Sequence, residues 1–370
     1  MTLALKLSRD NAATLAAPPA ARVAPIRETL FSDGDLSLFA HMSGREARDG
    51  MARLCADLRL GAVYCAARQA QMTEIARVHR SLDGAQALFD RELYSGKARL
   101  FASGHDLDPG WVIAQRRLGF QYGLTDSGFI DDGDHTGLAR TLGQASLIDG
   151  SIAALPVASK WVASHAAELV EAINRAGVPV ALMLEHSSDP FGSARTVNGF
   201  LSILRDSSVP VLLLRSDTSA IGALANGAAH AAIGTSTSRR HIFPQTNGGP
   251  PSGPREPSAY VLSAMSYRKL STINHAIAAS ADDEIPWVCK LPCCCGNRID
   301  QITNSYEAMR HSLASQQALV SDVLADPRQA SVQWQARSAH ALSINLEMNS
   351  KIMSTWPVPA YLNAWANASR

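Results

Sequence analysis

Two apolar runs of similar sequence, 31 residues apart, constrain the fold of this chain more than any other feature. The first, VPVALML, occupies 178–184, and the second, VPVLLL, occupies 209–214; an amphipathic, helix-like segment precedes each of them. Neither run alternates apolar with polar residues, which is typical of parallel strands that helices cover on both faces. One strand and one helix account for the spacing. The pattern therefore predicts repeated strand–helix units.

Further strand candidates extend this pattern. They are short apolar segments separated by amphipathic stretches, and they lie at 62–66, 98–102, 120–125, 152–157, 229–234 and 260–265. Together with the two runs above they make eight, which predicts an α/β fold of the (β/α)8 TIM-barrel type. A doubly wound open sheet is the alternative, because strand count alone does not close a barrel. No GxGxxG motif follows the early strands, which argues against a Rossmann fold.

The same pattern divides the chain into three parts. Residues 1–55 form an N-terminal arm and helical lead-in, 56–265 form the barrel, and 266–370 form a helical C-terminal region that carries a cluster of cysteines. This C-terminal region is expected to be a zinc-binding appendage to the barrel.

The charge balance excludes a general attraction to polyanions. Thirty-four Lys and Arg face thirty-three Asp and Glu, so the formal net charge is +1. Contact with tRNA or DNA would therefore depend on a local basic patch, for which Arg239 and Arg240 are the candidates. A protein partner or a second copy of the chain is the alternative. No apolar stretch reaches the ~20 residues of a membrane span, and the cytoplasm is the expected location.

Four of the six cysteines lie within seven consecutive positions, 289–295. Such crowding does not suit a disulfide framework, which joins distant segments, whereas it suits a metal site. We expect structural zinc, with Cys289, Cys293 and Cys295 as thiolate ligands and His311 as the fourth ligand. Cys295 is preferred to Cys294 because alternate residues of an extended chain point the same way. An apolar cysteine patch or a labile redox site is the alternative.

Polar residues follow several predicted strands, at positions where parallel α/β folds carry their functional groups. Asp126, Glu185, His186 and Asp217 all stand at such strand ends. We expect one site that collects them. In an enzyme acting on a small phosphorylated substrate, Glu185 and His186 would be acid and base, and otherwise Asp217 or Glu185 would be the reacting carboxylate. The alternative for each carboxylate taken alone is a helix N-cap or a salt-bridge partner.

The segment GTSTSRRH at 234–241 follows the seventh predicted strand. Loops after strands seven and eight of such barrels often bind phosphate through backbone N–H groups. Gly234 permits close backbone approach, Thr235 and Ser236 offer hydroxyl donors, and Arg239 and Arg240 supply positive charge. The alternative is an ordinary Ser/Thr N-cap with two solvated arginines.

The segment LTDSGF at 124–129 resembles the LTDSGGF segment of tRNA-guanine transglycosylases and the LDSGAF segment of their DNA-modifying relatives, which insert 7-deazaguanines. That superfamily has a (β/α)8 barrel followed by a zinc site of three cysteines and one histidine, and the order of features is the same here. The resemblance implies that Asp126 binds the heterocyclic base and acts in proton transfer, with Ser127 and Gly128 beside the substrate. It also implies a carboxylate that attacks the ribose carbon.

The chain departs from this family pattern at the nucleophile. The family's nucleophilic Asp lies on a late strand, whose best match here, AHAAI at 229–233, contains no Asp; Asp217 is the nearby carboxylate. The cysteines also depart from the family's C-x-C-x2-C spacing. We expect a divergent transglycosylase-like barrel protein that exchanges or recognises a purine or 7-deazaguanine base, and a pentosyltransferase if it is an enzyme. The alternatives are a barrel enzyme acting on a small phosphorylated substrate and a non-catalytic barrel subunit of a complex.

Overall fold

The computed structural model describes residues 30–31, 37–82, 86–245, 256–280, 287–352 and 355–369. Residues 1–29 of the predicted N-terminal arm lie outside the described residues. Eight parallel strands form one sheet: β1 Leu38–Ser43, β2 Gly61–Cys65, β3 Ala87–Asp90, β4 Gly123–Leu124, β5 Ser151–Ala158, β6 Val180–Glu185, β7 Val211–Ser216 and β8 His230–Gly234.

The eight strands form a nearly closed barrel. Their order is β3-β2-β1-β8-β7-β6-β5-β4, so β3 and β4 are the two edges and face each other. The Gln115 side chain bridges this seam. Its Oε1 accepts hydrogen bonds from the backbone N–H groups of Phe89 and Leu124, both at 3.1 Å, and its Nε2 donates to Leu124 O at 2.9 Å. The buried side-chain amide of Gln115 thus replaces the backbone hydrogen bonds that would otherwise join β3 to β4. The eight parallel strands and the helices between them confirm the predicted (β/α)8 fold.

Two of the eight predicted strands are wrong. Residues 98–102 contribute only an isolated bridge between Phe101 and Phe129. Residues 260–265 fall at an antiparallel hairpin outside the barrel, which consists of β9 Ser258–Val261 and β10 Ser266–Lys269. In both segments apolar side chains are partly exposed, among them Leu100, Phe101 and Leu262. A short apolar run alone therefore does not identify a barrel strand.

Two barrel strands are not predicted from the sequence. The barrel begins with β1 at Leu38, inside the segment predicted as an arm, and not at residue 56. The inward-facing His41 interrupts the apolar run of β1, and β3 has only four residues. Neither strand therefore stands out by hydropathy.

The barrel interior is apolar except at the carboxyl ends of the strands. One cluster of buried side chains fills it, with contributions from most strands, among them Phe39, Val63, Leu88, Ile152 and Met183. At the amino end Phe31 closes the barrel, because its ring contacts the rings of Tyr122 and His230. Apart from His230, the polar side chains of the interior thus lie at the opposite end, the mouth.

Helices cover the outside of the barrel. They are α1 Gly44–Glu46, α2 Ala52–Asp57, α3 Gln69–Arg80, α4 Pro109–Arg117, α5 His135–Ala145, α6 Ser159–Ser164, α7 Ala166–Ala176, α8 Ala194–Asp206, α9 Ser219–Ala225, α10 Leu270–Ala279, α11 Ser305–Val323, α12 Ala330–Ile352 and α13 Ala360–Ala366. Across the part of the chain that the structure describes, no helix is both long and apolar enough to cross a bilayer.

The C-terminal region is helical, as predicted, and it also completes the helical layer of the barrel. α11 packs against β1 and α9, where the helix after β8 is expected in such a barrel. α12 and α13 pack on each other and against α9 and α8, with the rings of Trp334 and Trp365 edge to face at 5.9 Å. A Cβ on Gly222 of α9 would lie 2.5 Å from Trp334 Nε1, so glycine permits this close packing.

Candidate active site and metal centre

Glu92 and Arg215 pair across the mouth of the barrel. Glu92 follows β3, Arg215 lies near the end of β7, and Arg215 Nη2 is 3.1 Å from Glu92 Oε1. Both residues have a left-handed backbone, with φ of 56° and 49°. Outside glycine this conformation costs roughly 1–3 kcal/mol and is concentrated at functional sites. Arg239 Nη2 lies 3.6 Å from the other Glu92 oxygen, so two guanidiniums position one half-buried carboxylate.

A layer of buried polar side chains lies beneath this pair. The Tyr94 hydroxyl donates a hydrogen bond to Asp90 Oδ2 and accepts one from Arg215 Nη1 at 3.1 Å. His41 Nε2 lies 3.2 Å from the same Asp90 oxygen. Burial lowers the pKa of His41, which favours the neutral imidazole. The ends of β1, β3 and β7 thus contribute to one cluster, as the strand ends of barrel active sites do.

Asp126 is buried, and both of its carboxylate oxygens are engaged. Arg91 Nη1 donates to Oδ2 at 2.7 Å, and the backbone N–H of Asp108 donates to Oδ1 at 3.0 Å. Asp108 is the N-cap of α4, so Asp126 joins the end of β4 to the start of that helix. Within the described ranges, no hydrogen bond or ion pair joins Asp126 to Asp217.

Ser127 and Gly128 pack locally beside Asp126. Ser127 Oγ is 2.9 Å from Thr125 Oγ1. A Cβ on Gly128 would lie 2.9 Å from the Phe101 carbonyl carbon and 3.0 Å from Ala102 N. Glycine is therefore what lets the neighbouring segment approach this strand end.

Glu185 and His186 are not joined as an acid–base pair. Arg99 Nη1 donates to Glu185 Oε1 at 2.6 Å, and the Arg99 guanidinium lies over the Phe129 ring, 4.3 Å from its centroid. His186 Nδ1 accepts a hydrogen bond from the backbone N–H of Ser188 at 3.1 Å. Glu185 therefore takes part in an ion pair at the mouth, while the His186 ring is directed to its own loop.

The charge of Asp217 acts on a second carboxyl group, that of Asp189. Asp217 accepts a hydrogen bond from Ser219 N at 3.2 Å, and Asp189, in the loop after β6, accepts one from Phe191 N at 2.9 Å. Burial and the charge of Asp217 raise the pKa of Asp189 to about 8. Burial also raises the pKa of Asp217. The protonated form of Asp189 is therefore favoured, and the more so while Asp217 is ionised.

The predicted phosphate loop folds back onto its own first residue. A Cβ on Gly234 would lie 2.3 Å from the carbonyl carbon and oxygen of Arg239, so glycine is required there. Thr235 Oγ1 donates to Glu46 Oε1 at 3.1 Å, and Ser236 Oγ accepts from Arg239 Nη1 at 3.2 Å. These hydroxyls bind the protein's own side chains in this structure.

Arg239 and Arg240 have different surroundings. Arg239 Nε donates to Cys65 Sγ at 3.3 Å, and its guanidinium faces Glu92. The Arg240 guanidinium lies 3.4 Å from the centroid of the Tyr267 ring. No carboxylate of the described residues lies within 4.0 Å of an Arg240 nitrogen. Arg240 Nε donates to Gly234 O at 3.4 Å, and Asp217 interacts electrostatically with its charge. Because no ion pair neutralises the guanidinium, it can still attract an anionic group.

Cys289, Cys293, Cys294 and His311 converge in the C-terminal region. The Cys289–Cys293 and Cys293–Cys294 sulfur separations are 3.8 Å, and Cys294 Sγ lies 3.3 Å from His311 Nδ1. A tetrahedral ion with metal–sulfur bonds near 2.3 Å needs sulfur–sulfur edges of about 3.8 Å. All four ligand atoms lie within 4.8 Å of one another. The cluster can therefore hold a metal ion.

His311 turns the appropriate nitrogen toward the thiols. Its Nε2 lies 2.8 Å from the backbone oxygen of Tyr260, and because a carbonyl only accepts, Nε2 carries the proton. Nδ1 then offers its lone pair to the cysteines. The hydrogen bond from Cys293 and the proximity of His311 lower the pKa of Cys289 to about 4, which favours a thiolate.

The prediction that Cys295 is a ligand in preference to Cys294 is wrong. Cys295 is exposed, and its Sγ donates to Pro292 O at 3.2 Å. The segment is not extended: the backbone N–H groups of Cys294 and Cys295 both bond to Leu291 O at 3.0 Å, and Cys295 has a φ of 52°. This tight turn directs Cys294 to the cluster and Cys295 to solvent.

His41, Asp90 and Glu92 are mouth residues that the sequence reading does not identify. The segment FDRELY at 89–94 carries three charged residues, one at the last position of β3 and two directly after it, which is the signal used for Asp126. Because β3 is not predicted from the sequence, these charged residues are not recognised as residues at the end of a strand.

A groove of about 880 Å³ lies elsewhere, on the outer face between α4 and α5. Its lining includes Ile113 and Leu147, which are exposed and apolar. None of the mouth residues or cysteines lines it, so the groove is separate from the polar clusters described above.

No protein-family model matches the chain, and no curated protein matches it. Among solved structures it is similar to the tetrameric deoxyribose phosphate aldolase from Aeropyrum pernix, at 14% identity and a TM-score of 0.37, over 56% of this chain and 88% of that one. A likeness of this size carries no functional argument. The fold and its polar clusters define a (β/α)8-barrel protein with a Cys3His centre that can hold a metal ion.

Proposed function

We propose that this chain is a barrel enzyme that binds a small phosphorylated substrate at the mouth, with Glu92 as the reacting carboxylate. The observation that carries the proposal is the placement of Glu92 across the mouth, against Arg215 and Arg239. A positioned carboxylate can take a proton from a bound substrate, which contributes roughly 10²–10⁴-fold to a rate. The strained backbone of Glu92 and Arg215 supports a functional role for the pair.

Arg240 supports a phosphorylated substrate. It belongs to the loop after β8, where barrels of this type bind phosphate. Its guanidinium has no ion-pair partner among the described residues, and the Tyr267 ring fixes its plane. Arginine binds phosphate through charge-assisted hydrogen bonds, so Arg240 is the anchor in this proposal.

A panel of phosphorylated sugars and nucleosides tests the role of Glu92. The variants are Glu92→Gln and, as a matched control, Glu171→Gln, in an exposed pair with Arg175. We expect the wild type and the control to turn over the same member of the panel, and Glu92→Gln to lose at least about 100-fold in rate. Equal rates for the two variants would remove Glu92 from the reaction.

A second candidate function, base exchange in a nucleoside, tRNA or DNA, is supported by Asp189 and Asp217. Glycosyl transfer commonly uses two carboxyl groups, one as nucleophile and one as acid. Asp217 would attack the sugar carbon, and Asp189, with its raised pKa, would hold the proton for the leaving base. The resemblance of 124–129 to the transglycosylases points to the same reaction.

Incorporation of labelled guanine into tRNA or a nucleoside tests this second candidate. Base exchange requires that the wild type incorporates the label and that Asp217→Asn does not. Phosphate binding at Arg240 without incorporation favours the first proposal. A chain that neither exchanges guanine nor turns over the panel fits the third alternative, a non-catalytic subunit.

We also propose that the ion at the Cys3His centre is structural zinc. Three thiolates and one imidazole in tetrahedral arrangement are the donor set of structural zinc sites. His311 bonds to Tyr260 of β9, so the ion would hold α11 and the β9–β10 hairpin together.

A further inference from the structure

Three side chains that can ligate a metal meet beneath the mouth, far along the chain from the Cys3His centre. His41 of β1, Cys65 of β2 and Asp90 of β3 come from adjacent parallel strands, and Cys65 pairs in register with Asp90. His41 Nε2 is 3.2 Å from Asp90 Oδ2, and all three ligand atoms lie within 4.8 Å of one another. All three residues are buried.

The imidazole of His41 lacks the hydrogen bonds that a buried polar ring requires. His41 is 0% exposed, and among the described residues neither Nδ1 nor Nε2 has a hydrogen-bond partner. Nε2 lies close to Asp90 but without the geometry of a hydrogen bond. Buried polar atoms in proteins are almost always satisfied, and an exception calls for a missing partner such as an ion. A cation between His41 and Asp90 would satisfy the imidazole nitrogen.

The charges around this cluster also leave room for a cation. Asp90, Glu92 and Glu46 bring three negative charges, whereas Arg215 and Arg239 bring two positive ones. A divalent ion that replaces the thiol proton adds two positive charges and one negative charge. The charges of this set, in which Asp90 and Arg215 are buried and Glu46 and Glu92 are half-buried, then sum to zero, which is the favourable state for groups partly removed from water.

We infer that His41, Cys65 and Asp90 form a second metal site, for a divalent ion of the zinc type. A nitrogen, a thiolate and a carboxylate suit Zn²⁺, whereas Mg²⁺ and Ca²⁺ take oxygen ligands. On binding, the S–H bond of Cys65 breaks, a metal–sulfur bond forms, and one proton leaves to solvent. The step needs no oxidant or reductant.

The groups around the three ligands fit this assignment. Arg239 Nε lies 3.3 Å from Cys65 Sγ and donates toward the sulfur, as a partner of a metal-bound thiolate would. The Tyr94 hydroxyl donates to Asp90 and orients that carboxylate. The ion would join β1, β2 and β3 directly beneath Glu92, so it fixes the floor of the mouth. This site is independent of the Glu92 reaction proposed above.

Metal content of the full-length protein, loaded with Zn²⁺ and freed of excess ion, tests the inference. We expect two equivalents in the wild type and one each in Cys65→Ser and Cys294→Ser. Cys55→Ser is the control, since Cys55 is buried but belongs to neither cluster, and it keeps two. One equivalent in the wild type, or two in Cys65→Ser, overturns the second site.

Cobalt substitution of the wild type gives a measurement that needs no variant. Co²⁺ bound through thiolate has a sulfur-to-metal charge-transfer band, and the two sites differ in their number of thiolates. We expect two binding phases in a titration, one with the intensity of three thiolates and one with that of a single thiolate. A titration that ends after the three-thiolate phase contradicts the inference.

Discussion

Arg215 lies 3.1 Å from Glu92 across the mouth of the barrel, and both residues are held in the left-handed region of the backbone. Arg215 is buried and also donates to Tyr94, which in turn bonds Asp90. Removal of its guanidinium leaves Glu92 with Arg239 alone, at 3.6 Å, and removes a positive charge that stabilises the Asp90 carboxylate. We expect Arg215→Ala to lower the free energy of unfolding by about 3–5 kcal/mol, as loss of one partner from a buried pair does.

Urea unfolding measures this loss, with Arg175→Ala as the matched control. Arg175 pairs with Glu171 on α7, where both side chains are exposed. Exposed pairs contribute about 0–1 kcal/mol, so the control is expected to unfold nearly as the wild type does. Similar losses in the two variants would mean that the Glu92–Arg215 pair contributes no more to the free energy of unfolding than an exposed surface pair does.

The neighbouring residues Cys294 and Cys295 give a sharp test of the Cys3His centre. Cys294→Ser removes a ligand, and we expect it to lose the ion of that centre and to unfold at lower temperature. Cys295→Ser is expected to match the wild type in both respects, because Cys295 faces solvent. Metal analysis and thermal unfolding measure the two effects. An effect of Cys295→Ser that equals that of Cys294→Ser contradicts the assignment of ligands.

Removal of the Gln115 amide should open the seam between β3 and β4. Gln115→Leu leaves the N–H groups of Phe89 and Leu124 buried without partners. Each unsatisfied group costs about 1–3 kcal/mol, so we expect a loss in unfolding free energy of at least that size. Faster hydrogen exchange at those two amides measures the local effect. Gln329→Leu, at an exposed position, is the control. If Gln115→Leu exchanges the amide protons of Phe89 and Leu124 no faster than this control does, the Gln115 amide does not close the barrel.

Asp189 should make the stability of the protein fall as pH rises. Its carboxyl keeps a proton up to about pH 8 in the folded chain, whereas its ordinary pKa is 3.8. Between these values the folded state binds more protons than the unfolded state, so unfolding becomes easier toward higher pH. Asp189→Asn mimics the protonated group and is expected to be more stable than the wild type at pH 8, with the difference vanishing near pH 4.

Urea unfolding across that pH range measures the Asp189 effect. Asp149→Asn is the control, since the Asp149 side chain is exposed. A gain in stability that is the same at all pH values would show that Asp189 is not protonated in the folded chain.

The sequence predicts the barrel because the runs at 178–184 and 209–214 are long, apolar and regularly spaced. It does not predict β1, because His41 faces inward and breaks the apolar run. The side chain of Gln115 on α4 forms hydrogen bonds with β3 and β4. The periodicity of hydropathy along the sequence does not predict such long-range contacts.

The candidate site is predicted less completely than the fold. The cysteine cluster is visible as a crowded segment, but the choice between Cys294 and Cys295 depends on a turn that spacing does not reveal. Asp126 and Glu185 stand at strand ends as expected. Asp126 binds Arg91, which follows the unpredicted strand β3, and Glu185 binds Arg99, which lies in the segment 98–102 wrongly predicted as a strand. Glu92 is not predicted as a site residue, because β3, the strand before it, has only four residues and is itself not predicted.

Calorimetric titration with inorganic phosphate tests the proposed substrate class most directly. We expect one phosphate per chain in the wild type and in Glu92→Gln, and a dissociation constant about 10–100-fold weaker in Arg240→Ala, the loss expected for a hydrogen bond to a charged group. Arg175→Ala is expected to bind as the wild type does. Absence of binding in the wild type, or equal affinity in Arg240→Ala, would contradict a phosphorylated substrate at the mouth of this barrel.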